Sequence, residues 1–101
     1  MLVGCERGEA GPVSVYLLGT LDTKGREIAY VRDRLRQLGV DVRVVDTGCH
    51  GTPAIEADIS REAVFAAAGT SLETMVERGD RGEAVTNAAR GAAALIGEFA
   101  V

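Results

Sequence analysis

The sequence predicts an α/β fold with parallel strands, built as strand–helix–strand followed by three helices. Three observations predict it. Val13–Gly19 (VSVYLLG) is apolar at nearly every position, the pattern of a strand buried on both faces as in a parallel sheet. One amphipathic helix separates it from a second strand, and a crossover of this size joins parallel strands with right-handed chirality. The chain has 101 residues, 47% of them hydrophobic and 26% charged, which matches one globular domain and not a disordered segment.

The elements follow in order. Residues 1–12 carry Gly4, Gly8, Gly11 and Pro12 and read as a flexible leader. After the first strand comes the turn GTLDTKG, and a helix is predicted from about Lys24 to Leu38. Ile28, Val31, Leu35 and Leu38 share its inner face, and Gly39 supplies the stop. Residues 40–46 (VDVRVVD) alternate as a second strand, and residues 47–59 form a long loop. Ser60 starts a short helix ending at Gly69. Thr70 with Glu73 forms a capping box for the next helix, which ends at Gly79. Asp80 with Glu83 starts the last, from about Arg81 to Glu98. Its inward stripe is Val85, Ala88, Ala92, Leu95, Ile96 and Phe99. Two parallel strands cannot bury both faces of a sheet. The chain therefore reads as the first part of a larger α/β domain, truncated at Val101, with a further copy or a partner chain completing the sheet.

Composition excludes several functions. Fifteen acids against eleven bases give a net charge of −4, and the ten arginines are scattered. Nucleic-acid binding through clustered cations is therefore not expected. No apolar run approaches the ~18–20 residues that span a bilayer. The N-terminus lacks the basic and apolar regions of a signal peptide, so the expected location is cytoplasmic. Cys5 and Cys49 lack metal or redox spacing and are expected to be reduced.

The turn Gly19–Lys24 is the most informative segment. It leaves a buried strand and enters a helix, where backbone N–H groups and the helix dipole favour anions. Gly19 permits close approach of a ligand. Thr20 and Thr23 supply hydroxyls, Asp22 a magnesium or ribose contact, and Lys24 a point charge for phosphate. The alternative is an ordinary turn with Asp22 or Thr23 as N-cap. Asp46, ending the second strand, is either a ribose acceptor or a strand-end cap. Cys49 and His50 invite a metal reading, but adjacent loop residues rarely share one ion. Glu56, Asp58, Arg61 and Glu62 surround a helix start and read as caps and solvated charges, with magnesium as the alternative for the carboxylates. Arg81, in GDRGE, either touches a phosphate or belongs to a capping segment.

Three ordered motifs, GTLDTK, ADISRE and GDRGEAV, carry a resemblance across residues 13–96. The chain resembles the ATP-binding N-terminal domain family typified by the tomato mosaic virus resistance protein and its uncharacterised bacterial homologues. The resemblance implies a Rossmann-like three-layer domain and a nucleotide pocket holding ATP with magnesium. It implies that Gly19, Thr20, Asp22, Thr23 and Lys24 form the strand–loop–helix motif. Asp46 and Gly48 match the second strand end, and Asp80, Arg81 and Gly82 match the third motif. Asp22 is then the expected magnesium contact. Two other functions are compatible with the chain. It could be part of a two-domain enzyme acting on a small phosphorylated or carboxylated metabolite, with His50 as acid–base. It could also be a self-associating interaction fragment.

Overall fold

A computed structural model describes residues 2–7 and 13–99, with side chains described from residue 15 to residue 96. The elements are β1 (Leu2–Arg7), β2 (Val13–Gly19), α1 (Leu21–Gln37), β3 (Asp41–Asp46), α2 (Arg61–Ala67), α3 (Leu72–Arg78) and α4 (Arg81–Phe99). The predicted α/β class and parallel pairing are present. β2 and β3 run parallel in the register Ser14↔Asp41 to Gly19↔Asp46. The sheet order is β1-β2-β3, with β2 in the middle.

Residues 2–7 are not a loose leader: they pair antiparallel with β2, from Leu2↔Leu18 to Arg7↔Val13. Glycine content hid a strand whose formation depends on a partner edge rather than on its own propensity. The rest of that leader lies outside the described residues, as does Val101.

The strands alternate their side chains between two cores. Val15, Leu17, Val42 and Val44 pack with Leu21 and Ile28 under α1. Tyr16 and Val45 pack on the other face with Val64, Phe65, Met75, Ala84, Ala88 and Ala92, under α2, α3 and α4. This gives helix, sheet and helix layers. Beyond β3, Ile59 adds a single parallel bridge to Val45, and Asp58 Oδ2 accepts from the Val44 amide at 2.6 Å. The far edge of β3 is thereby partly covered. Among the described residues, no helix is long and apolar enough to cross a membrane.

Local chemistry explains most boundaries. Ser60 and Ser71 cap α2 and α3, accepting from the amides of Ala63 and Thr74. The α3 cap is thus Ser71 and not the predicted Thr70. Asp80 accepts from the Glu83 amide at the start of α4. Gly39, at φ +81°, closes α1 while the Val40 amide reaches back to the Leu35 carbonyl. Leu38, placed on the inner face by spacing, is 75% exposed because the helix has already ended there.

α4 turns most of the expected stripe inward, with Ala88 and Ala92 buried and Leu95 and Ile96 packed against the same core. Ala84 is buried too, whereas Val85, expected inside, is 64% exposed. Gly91 sets this orientation. A Cβ there would collide with the Val64 carbonyl oxygen, so α4 meets α2 backbone to backbone. The Phe99 side chain lies outside the described residues.

Candidate functional site

The carboxyl ends of β2 and β3 lie side by side, with Gly19 paired to Asp46. In parallel α/β sheets, ligands bind beyond this end. The Thr47 amide continues the pairing by donating to the Gly19 carbonyl at 2.9 Å.

The connection from β2 to α1 is tighter than the sequence implied. α1 begins at Leu21, three residues earlier than expected, with Thr20 as its only linking residue. Thr23 and Lys24 form the first turn, and both of their amides donate to the Thr20 carbonyl. The Thr20 hydroxyl pairs with the Thr23 hydroxyl. The Leu21 amide donates to Asp46 Oδ1 at 3.3 Å. Few amides therefore remain free for an anion. The side chains of Thr23 and Lys24 are exposed at the helix start.

Asp46 is 1% exposed and serves as the hub of this region. Its Oδ1 also accepts from the Gly48 amide at 2.9 Å, and its Oδ2 accepts from Arg61 Nε at 2.8 Å. With both oxygens engaged and out of water, Asp46 holds the turn together and is not presented to a ribose. The strand-end cap alternative describes it better.

Arg61 is the group that sequence reasoning missed. It sits at the first position of α2 and was assigned to a solvated face, yet it is 4% exposed. Its Nη1 donates to the carbonyls of His50 and Gly51, at 3.2 and 2.9 Å. Its Nη2 lies 3.8 Å from Asp22 Oδ1, and neither of those two buried atoms has a hydrogen-bond partner. One guanidinium thus joins the end of β3, the loop after it and the first turn of α1. The planar fork makes this possible, since its nitrogens address several acceptors in one plane.

Gly48 is required by this arrangement. A Cβ on it would meet Arg61 Nη2 and Asp22 Oδ1 at 2.8 Å each. Gly51, at φ +70°, lies against the Asp22 side chain on the same loop. Cys49 stands beside this ion group. Burial pushes its thiol above the usual range, Arg61 partly offsets that, and Asp22 adds to it. Such a thiol is protonated and weakly nucleophilic at neutral pH. His50 is exposed, and its described contact is made by its backbone carbonyl.

Two cavities flank the hub. One, of about 420 Å³, lies between the β2 end (Leu18, Gly19, Thr20), Thr47 and the alanine face of α4. The other, of about 400 Å³, lies between Ala54, Glu56, Arg61 and Glu62. The structure brings together Gly19, Thr20, Asp22, Thr23, Lys24, Asp46 and Gly48. It does not bring Asp80 and Gly82 to either cavity. They line a separate shallow hollow with Glu83, Thr86, Asn87 and Arg90, and Arg81 is exposed at the same helix start. Among the described residues, no group of three His, Cys, Asp or Glu side chains could hold a metal ion.

The profile of the uncharacterised protein family UPF0261, N-terminal domain, matches residues 13–100. The chain belongs to this family. A UPF0261 protein of Clostridium tetani is 33% identical over 82 residues, which is 81% of this chain and 20% of that protein. A UPF0261 protein of Brucella suis is 32% identical over the same shares. One of Rhizobium meliloti is 35% identical over 71 residues, 70% of this chain and 18% of that protein. The chain thus spans about a fifth of the length of the curated relatives it matches. No solved structure matches it. The matched region begins at β2, so the match covers the parallel pair and the four helices, whereas β1 precedes it.

Proposed function

We propose that this UPF0261 domain is a nucleotide-binding module taking ATP, with its phosphates at the first turn of α1. The observation that carries the reading is positional. Exposed Thr23 and Lys24 open the 17-residue helix α1 at the carboxyl ends of two parallel strands, beside a cavity of ligand size. The positive end of the helix dipole and the Lys24 ammonium both favour phosphate. The motif resemblance to an ATP-binding domain points the same way.

Magnesium enters this reading with the triphosphate and not as a resident ion. Asp22 Oδ1 already faces the Arg61 guanidinium, so a second cation at that oxygen would be repelled. Phosphate oxygens and water would hold most of the magnesium coordination. Gly48 and Asp46 contribute by fixing the loop and helix start. The third motif, around Asp80, Arg81 and Gly82, supports α4 by capping it and makes no nucleotide contact.

Equilibrium binding of Mg-ATP to the full chain, and to Lys24→Ala and Thr23→Val, tests the proposal. Saturable binding that weakens about tenfold in Lys24→Ala supports it. Binding that is absent, or indifferent to both substitutions, overturns it.

A further inference from the structure

The cavity against α4 has a chemistry of its own. Its walls come from three places: Leu18, Gly19 and Thr20 at the β2 end, Thr47 after β3, and one side of α4 carrying Ala89 and Ala93. No charged side chain lines it. A phosphate has no counter-charge there, so the phosphates and this cavity are matched to different parts of a ligand.

Its shape follows from side-chain size. α4 contributes alanines at 88, 89, 92 and 93, where larger side chains would fill the space against the sheet end. Ala88 and Ala92 face the core, whereas Ala89 and Ala93 are exposed along the open side. The space of about 420 Å³ falls within the range of small-molecule sites. It has one polar wall. Thr47 is half-buried on this wall, and its hydroxyl can both donate and accept. Thr20 belongs at once to this wall and to the start of α1.

We infer that this cavity takes the uncharged aromatic ring of the ligand, a nucleobase, with Thr47 addressing the ring edge. The inference rests on the proposed nucleotide reading for its ligand class. It adds the seat of the ring, in a cavity that shares Thr20 with the helix start and that the exposed Lys24 does not line. Specificity for one base over another then comes from Thr47, because an unmet polar group in an apolar slot disfavours the wrong ring edge.

The test uses the full chain with two probes titrated separately: adenosine, which lacks phosphate, and sodium triphosphate, which lacks a ring. Ala89→Leu and Ala93→Leu fill the slot from its exposed side, so folding is retained, which an unchanged melt verifies. Thr47→Val removes the hydroxyl at nearly constant size. The inference expects adenosine to bind the parent chain, to bind the leucine variants at least tenfold more weakly, and Thr47→Val about fivefold more weakly. Triphosphate binding should be unchanged in all three. Adenosine that fails to bind, or binds the leucine variants as well as the parent, overturns the inference, even where triphosphate binds and the phosphate reading stands. Adenosine that binds as expected while triphosphate does not supports the ring seat and overturns the phosphate reading alone.

Discussion

Arg61 Nε donates to Asp46 Oδ2 at 2.8 Å, with side chains only 5% and 2% exposed. The pair joins the first residue of α2 to the last residue of β3 and so closes the end of the sheet where a ligand would sit. Its worth lies less in attraction than in what its loss leaves behind. A buried carboxylate without its counter-charge costs far more than the intact pair contributes.

Arg61→Met keeps much of the volume and removes the charge. Two carboxylates, Asp46 and Asp22, then face each other's field with no cation between them. Loss of about 3–5 kcal/mol is expected. Arg61→Lys should recover little, because one ammonium cannot serve Asp46 and the two loop carbonyls together. Urea unfolding of the three proteins measures this. A lysine variant as stable as the parent would contradict the forked contact.

Gly91→Ala should be severely destabilising, by about 3 kcal/mol or more, since the added methyl meets a backbone carbonyl that cannot rotate away. Thermal melts should fall by more than about 10 °C for a domain of this size. Gly48→Ala should cost less, about 1–3 kcal/mol, because its neighbours are side-chain ends. The order of the two melting temperatures is the check.

Cys49 gives a pH dependence with a definite sign. Its thiol is held above the ordinary value in the folded chain, mainly by burial. The fold therefore favours the protonated form. That contribution is complete below the unfolded thiol value, about 8.5, and is lost as pH rises through the folded value. Cys49→Ser should flatten the alkaline loss of stability that sets in as pH rises past the unfolded thiol value. Alkylation of Cys49 at pH 7.5 should also run slower than alkylation of glutathione. Faster alkylation would mean that Arg61, and not burial, controls the thiol.

Features that depend on neighbours in sequence were legible. Ser60 and Asp80 declare themselves as caps, Gly39 as a helix stop, and the uniformly apolar run of β2 as a doubly buried strand. Features that depend on contacts across the fold were not. Nothing local marks Arg61 as buried, since its partner Asp46 lies fifteen residues upstream. β1 is specified by the open edge of β2 and not by its own composition. On α4 the stripe of Ala88, Ala92, Leu95 and Ile96 was legible, but the outward place of Val85 was not, because it depends on how closely Gly91 approaches α2. At the site, Asp22 and Asp46 were both legible as site residues, and for Asp46 the strand-end alternative is the one the geometry favours. Their positions at a strand end and a helix start suggested ligand contacts, whereas the geometry commits both to Arg61.

The proposed nucleotide site at this end of the sheet is tested by a thermal melt with millimolar Mg-ATP. A ligand at about a hundredfold its dissociation constant stabilises by roughly 2.7 kcal/mol. An upward shift of several degrees or more is expected in the parent chain, and a much smaller one in Lys24→Ala. An unshifted melt in the parent chain, or equal shifts in both, would contradict it.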